Sequence, residues 1–416
     1  VDRTQLAERN RKLASFQHRL SQRERVRRRM LRMVAALPVP TGRQPIKDTF
    51  LLIRPDHLGD MLLTMPAIQA LRQSRPEAKL YALVGEWAAG VVTAYPDLDH
   101  VLTVPFPGFT RRPRRNFAPL TTILTPYGQA LKWALLLRKL RIETVIILRP
   151  DHWYGAMVAW LAGIPVRVGY DLPDVKPFLT QTYPAPARSP LSGEPREHTV
   201  LQSLRLVSQW ATLPSAESAR QIKLTFPVSV SERDYITDRL ANAAIPPQKK
   251  LVVIHPGAGT QFKRWLPEHW AAVADKLVER LEAAVLFTGS DQEYGEIAKV
   301  MQKMRYPSLS LAGDTSVAQL VALYERAEVV LGPDSGPLHL AVASGAPTVH
   351  LYGPADPALF GPWGNPDRQI VLTSGIACHP CNILAWPGDS PDLHPCIRDI
   401  TPRHVWEAAL RAAALR

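Results

Sequence analysis

Three short turns in the second half of the chain join glycine to proline, serine, threonine and aspartate. They are Pro256-Gly257-Ala258-Gly259-Thr260, Gly289-Ser290-Asp291 and Gly332-Pro333-Asp334-Ser335-Gly336-Pro337. Each follows an apolar run and precedes a helical pattern. A turn of this kind exposes backbone N–H groups at a helix N-terminus, where a phosphate binds readily. One such turn alone reads as plain turn geometry; three in one half point to a phosphorylated ligand. None matches G-x-x-x-x-G-K-[ST] or a full G-x-G-x-x-G fingerprint, so ATPase and NAD-dehydrogenase readings lose support. In the first half, Asp60 of His57-Leu58-Gly59-Asp60 stands before a helix expected from Met61. By spacing alone it reads as a helix cap. Cys378-x-x-Cys381 with Cys396, near His379 and His394, carries half of a zinc pattern, with free thiols or a disulfide as alternatives. The segment 105–128 interleaves Phe106, Phe109, Phe117 and Tyr127 with Arg111, Arg112, Arg114 and Arg115. Cations among aromatics suit an anionic, sugar-bearing ligand, a basic surface loop being the alternative.

The elements that position these residues follow from the hydropathy pattern. Phe50-Leu51-Leu52-Ile53-Arg54 is a short apolar run suited to a buried parallel strand. Runs at 80–84, 144–148 and 166–169 follow, with helical spacing at 61–71, 157–162 and 198–210. A second array opens at Leu251 and continues at 284–288, 329–331 and 348–351. The Pro- and Ser-rich stretch 185–197 reads as a surface loop. Alternating strands and helices predict an α/β fold with mainly parallel sheets. Two arrays predict two Rossmann-like domains facing a cleft, with the glycine-rich loops beyond the carboxyl ends of the strands.

Composition bounds the rest. The chain has 416 residues, 46% hydrophobic and 21% charged, which excludes wholesale disorder. Three cysteines are too few for a disulfide framework. No uncharged apolar run of about 18 residues occurs, so no spanning helix is expected. The N-terminus lacks an apolar core followed by a small-residue cleavage site, so no signal peptide is expected and a cytoplasmic protein is the default. The net charge of +13 is uneven: residues 1–36 hold eleven Arg or Lys against three Asp or Glu. Leu6, Leu13, Phe16 and Leu20, then Val26, Met30, Met33 and Val34, recur there at helical spacing. A basic amphipathic arm of this kind suits an anionic membrane surface. A solvated or oligomer-forming helix is the alternative. No nucleic-acid module follows, so no nucleic acid is expected. Pro38, Pro40, Gly42 and Pro45 read as a linker.

Together these segments resemble glycosyltransferase family 9, the ADP-heptose:lipopolysaccharide heptosyltransferases. The resemblance is carried by His57-Leu58-Gly59-Asp60, by His255 through Gly257 to Lys263-Arg264-Trp265-Leu266-Pro267-Glu268-His269-Trp270, and by Asp334-Ser335-Gly336-Pro337-Leu338-His339-Leu340-Ala341 with Gly345-Ala346-Pro347-Thr348 and Leu351-Tyr352-Gly353. It covers about residues 49–416 and leaves the arm unexplained. It implies a GT-B fold and inverting transfer without a metal or other cofactor. It implies Asp60 as the catalytic base, since an inverting transfer needs one carboxylate to take the acceptor proton. It implies Lys263 at the donor diphosphate, where a fixed cation stabilises the departing charge. Gly257, Gly259, Thr260, Asp334, Ser335 and Gly336 fall at the donor, and Glu293 where an acid holds the ribose. His339 reads equally as a ligand contact or a packed structural histidine. His57 and Arg111, Arg112, Arg114 and Arg115 fall to the acceptor.

The expected organisation is an arm and linker at 1–48, an acceptor domain at 49–225, a donor domain at 226–385 and a C-terminal segment at 386–416 packing back toward the first domain. The expected function moves a sugar, heptose by the resemblance, from a nucleotide-diphosphate donor to a lipid-linked glycan at the inner face of the cytoplasmic membrane. A nucleotide-sugar epimerase is a rival, but no clear second acid/base group accompanies Asp60. A silent nucleotide-sugar-binding protein is another, against which Asp60 and Lys263 both stand.

Overall fold

The computed structural model describes residues 2–17, 22–38, 42–107, 109, 120–187, 195–213, 222–386 and 388–416. The chain divides into two compact units. One comprises Leu20–Arg188 with Thr199–Ala219; the other comprises Arg220–Arg416 with Val1–Arg19 and Ser189–His198.

The first unit is built on β1 (Thr49–Arg54), β2 (Lys79–Val84), β3 (His100–Thr103), β4 (Thr144–Ile147), β5 (Val166–Tyr170) and β6 (Gln181–Tyr183). They form one parallel sheet in the order β3-β2-β1-β4-β5-β6. The second unit holds β7 (Leu251–Ile254), β8 (Ala284–Phe287), β9 (Ser308–Ser310), β10 (Ala327–Pro333), β11 (Thr348–Leu351) and β12 (Gln369–Leu372), in the order β12-β11-β10-β7-β8-β9. Counted within its own unit, each sheet runs 3-2-1-4-5-6, the Rossmann strand order. The α/β, two-Rossmann class expected from the sequence is the fold observed. The central strands carry the apolar runs read from the sequence. The four strands that reading did not name, β3, β6, β9 and β12, are the four sheet edges. Edge strands are half solvated, so their residues do not form the continuous apolar run of a central strand.

In the first core, Leu51, Ile53, Leu83, Val145 and Ile147 pack against Ala130, Ala134 and Leu137 of the helix Leu120–Leu140. That helix begins inside the segment 105–128, for which the sequence suggested no helix; Pro126 within it hid the helical pattern. In the second core, Val252, Ile254, Val285 and Leu331 meet Trp270, Val273 and Leu277 of the helix Pro267–Leu281. Fully burying side chains of this size is worth about 1.5–3 kcal/mol each. The C-terminal helix Pro402–Ala413 buries Val405, Ala408, Ala409 and Ala412 in that same core. Its apolar face is therefore satisfied on the second sheet, where packing toward the first domain was expected.

The basic arm is two helices, Arg3–Gln17 and Gln22–Ala35, one assigned to each unit. The first packs Ala14 and Leu13 against Phe262, Ile383 and Trp386, and Ala7 against Ile376 and Cys396. Asn10, 2% exposed, donates to the Leu393 carbonyl at 3.0 Å, and Arg9 pairs with Asp389 at 2.9 Å. Part of the apolar spacing read as a membrane face thus seats the arm on the second unit. The second helix docks through buried Leu31, through Arg27 and Arg28 on Asp174, and by Arg27 lying over Trp153 at 5.4 Å. Among the described residues no helix is long and apolar enough to cross a membrane.

Candidate functional site

Strand β1 ends at Arg54, and the chain turns through Pro55-Asp56-His57 into the short helix Leu58–Leu62. The N-cap is His57, and its side chain makes no capping bond. Asp60 lies within the first turn of that helix, so it is not the cap its spacing suggests. A carboxylate there is favoured by the helix dipole. Its side chain is 34% exposed, and Arg54 Nη2 stands 3.8 Å from its carboxylate. Arg54 itself is buried; it donates through Nη1 to the Leu148 carbonyl at 2.9 Å and makes an ionic contact with Asp56 at 2.6 Å. That contact is not aligned as a hydrogen bond, which leaves Arg54 Nε and one Asp56 oxygen without such a partner. Arg149 also pairs with Asp56 and reaches Asp151 at 2.6 Å. Burial alone would raise the Asp56 carboxyl; the two guanidiniums overcome it and hold the group below the usual carboxylate range.

Aromatic rings complete this side. Trp87 donates through Nε1 to the carbonyls of Pro55 and Asp56 at 3.1 and 3.0 Å, and stacks on His57 at 5.4 Å between centroids. Arg149 lies over Phe109 at 5.1 Å. His152 is buried between Phe106 and Phe109, and burial followed by the charge of Arg149 lowers its pKa to about 3. The sequence reading gave no site role to Arg54, Asp56, Arg149 or His152. The signal was available. The tetrapeptide Arg-Pro-Asp-His occurs twice, at 54–57 and 149–152, at the ends of the neighbouring strands β1 and β4.

In the second unit, the loop after β7 leads to the 3-10 turn Gln261–Lys263. Lys263 Nζ donates to the carboxylate of Asp334, which follows β10; both side chains are largely buried. The helix Gly336–Ala343 starts two residues later, with Ser335 at its N-cap making no capping bond. The Ser335 hydroxyl and His339 Nδ1 are buried without a hydrogen-bond partner. His339 lies in the field of Asp334 and Lys263, and burial brings its pKa down to about 4. Lys263, Asp334, Ser335 and His339 are thus one group.

Glu293 caps its own turn, accepting from the Ser290 amide at 2.8 Å and the Ser290 hydroxyl at 2.9 Å. Burial would raise its pKa, but these bonds and the proximity of His255 hold it below the ordinary value. A Cβ at Gly257 would lie 2.0 Å from Glu293 Oε1, so the absence of a side chain there lets the two segments meet. Together with Pro256, Arg264 and Glu296 they line a small cleft. Thr260 turns away from this group and donates to the Leu384 carbonyl at 2.7 Å, and Gly259 beside it is exposed.

The remaining expectations separate. Arg111, Arg112, Arg114 and Arg115 lie outside the described residues. Cys378, Cys381 and Cys396 line one pocket with His379 and His394, yet among the described residues no three such side chains are placed to hold a metal ion. Burial pushes the Cys396 thiol up to about 12, so it stays protonated at neutral pH.

Two parallel-sheet units with reactive side chains at the strand ends define a two-Rossmann protein of GT-B type. Known proteins narrow the class. The family model described as glycosyltransferase family 9 (heptosyltransferase) matches residues 133–383, and the chain belongs to that family. It is 25% identical over 374 residues to lipopolysaccharide heptosyltransferase 2 of Escherichia coli K12, covering 86% of this chain and 96% of the relative. It is 26% identical over 312 residues to lipopolysaccharide heptosyltransferase 3 of Escherichia coli, covering 74% and 84%. A solved family 9 glycosyl transferase from Veillonella parvula superposes with a TM-score of 0.69 at 21% identity, covering 88% of this chain and 98% of the other. The solved E. coli ADP-heptose lps heptosyltransferase II gives 0.65 at 21% identity, covering 88% and 99%.

Proposed function

We propose that the protein transfers a heptose from ADP-heptose to a lipid-linked cell-envelope glycan, with inversion at the anomeric carbon and without a metal. Family membership and the names of the relatives support this donor and this class of acceptor. The observation that carries the donor reading is the buried Lys263–Asp334 pair beside the unpartnered Ser335 hydroxyl at a helix N-terminus. Asp334 fixes the ammonium, which keeps two further N–H donors for a diphosphate. The Ser335 hydroxyl and the amides that open the helix add donors for the same anion.

In the reaction, Asp60 takes the proton of the acceptor hydroxyl as its oxygen attacks the anomeric carbon. The bond from that carbon to the diphosphate oxygen breaks on the opposite face. The leaving ADP gains negative charge, which Lys263 stabilises. Arg54, whose Nη2 stands 3.8 Å from it, holds the Asp60 carboxylate in place. His57 and Arg149 frame the acceptor, with Arg111, Arg112, Arg114 and Arg115 as further contacts to its anionic groups. A lipid-linked acceptor sets the reaction at the inner face of the cytoplasmic membrane.

The test incubates the purified chain with ADP-heptose and a de-lipidated core glycan. Mass spectrometry should find the acceptor heavier by one heptose, and NMR should find the new linkage inverted relative to the donor. Activity should persist in EDTA. Consumption of a different nucleotide sugar and not of ADP-heptose would overturn the donor assignment.

A further inference from the structure

We infer that the protein seats on anionic lipid through two solvent-facing helix surfaces of its first unit, Gln22–Ala35 with the residues just after it, and Leu120–Leu140. On the first, Val26, Met30, Met33 and Leu37 are 56%, 50%, 65% and 60% exposed. Their spacing, four, three and four residues, places them on one line along a helix. Single exposed apolar residues are ordinary, but an unbroken ridge of them marks an interaction surface. Arg25, Arg29 and Arg32 are exposed and each precedes one ridge residue, so a row of guanidiniums runs beside it. The opposite side of the helix is fixed by Leu31 and by Arg27 and Arg28 on Asp174, so the ridge is presented on a held helix.

The second surface repeats the pattern without sharing any sequence with the arm. On Leu120–Leu140, Leu131, Leu135 and Leu136 are 53%, 51% and 39% exposed, and Lys132 and Lys139 are exposed beside them. Ala130, Ala134 and Leu137 of the same helix face the core. Both helices thus use one side for the first core and offer the other as leucine or methionine with Lys or Arg.

That composition selects the occupant. A second copy of the chain would bring like charge against like charge. A nucleic acid would take the cations and leave the apolar ridge in water. An anionic bilayer accepts both, with headgroups on the cations and acyl chains on the ridge. Lipid seating needs neither donor nor acceptor, so it goes beyond the proposed transfer and stands or falls separately from it.

The full chain is sedimented with vesicles of phosphatidylglycerol and phosphatidylcholine in equal parts, and with phosphatidylcholine alone. Binding is expected to the first mixture only, and raised salt should weaken it. Replacing Arg25, Arg29 and Arg32 together by Gln should weaken it on the order of a hundredfold, about fivefold per cation. Met30→Gln with Met33→Gln, and separately Leu131→Gln with Leu135→Gln, should each weaken it about tenfold or more. Unaltered melting and unaltered turnover on a de-lipidated acceptor establish that each variant is folded. Equal sedimentation of variants and parent overturns the inference. So does failure of the parent to bind anionic vesicles, including the case in which it forms a dimer that Met30→Gln with Met33→Gln dissociates.

Discussion

Under the proposed transfer, the loops at the strand ends of the two sheets meet different demands with the same topology. After β1 and β4 the chain places two arginines, three aspartates and two histidines, and a buried ion network links Arg54, Asp56 and Arg149. After β7, β8 and β10 it places glycines, hydroxyls and one lysine–aspartate pair. Moving a proton needs a side chain held at a fixed position and charge. Holding a diphosphate needs donors at close range, which backbone amides supply once side chains are absent. In the proposed transfer, one side of the chemistry is therefore written in side chains alone, and the other in main-chain amides together with Lys263 and Ser335.

This contrast can be broken by substitution. Asp60→Asn should have the largest effect, a loss of about 10²–10⁴-fold in transfer with donor binding intact. Because the helix begins before Asp60, the change removes a base and no cap. Near-normal turnover of the purified variant would assign the base elsewhere. Lys263→Ala should cost about 10²–10³-fold, and donor affinity measured by calorimetry should fall with it. Unchanged affinity and rate would remove Lys263 from the donor side.

A smaller effect separates the buried network from the chemistry. His152 is held neutral with a pKa of about 3, against about 6.5 for an unfolded histidine. As pH falls below about 6.5 the unfolded chain binds the proton first. The contribution of His152 to stability is thus complete above that pH and is lost toward pH 3, at about 1.4 kcal/mol per unit. In urea titrations between pH 7 and 5 the parent should lose about 2 kcal/mol more in total than His152→Leu, most of it below pH 6.5; parallel slopes would contradict it. The smallest effect belongs to Glu293. Glu293→Ala should cost about 1 kcal/mol as a lost capping box, whereas Glu293→Gln keeps the box. A fall in donor affinity with Gln would give this residue a ribose contact besides its cap.

Much of this was legible before the fold was seen. The central strands are apolar runs, and glycine-rich turns after β7, β8 and β10 point to an anion because backbone geometry is local. The edge strands were not legible, since Gln181–Tyr183 or Ser308–Ser310 carries no continuous apolar run. Nor was the partnership of Lys263 with Asp334, which lie 71 positions apart and meet only because β7 and β10 are neighbours. The repeated Arg-Pro-Asp-His was visible as text, but its meaning depends on β1 lying beside β4. The arm was ambiguous for a related reason: a helix that docks on its own protein and one that docks on lipid share the same periodicity. Only burial separates Leu6, at 8% exposed, from Met33, at 65%.

The seating of the first arm helix has a consequence for the order of assembly. Asn10 bonds to Leu393, 383 positions later, and Ala7 and Ala14 rest on residues between 262 and 396. At ordinary synthesis speeds of about 5–20 residues per second, those partners emerge roughly 20–80 s after the helix. The closure also spans 383 positions, the kind of contact that forms late. This helix is made well before the residues that hold it, so its docking waits on the emergence of the chain as far as residue 396.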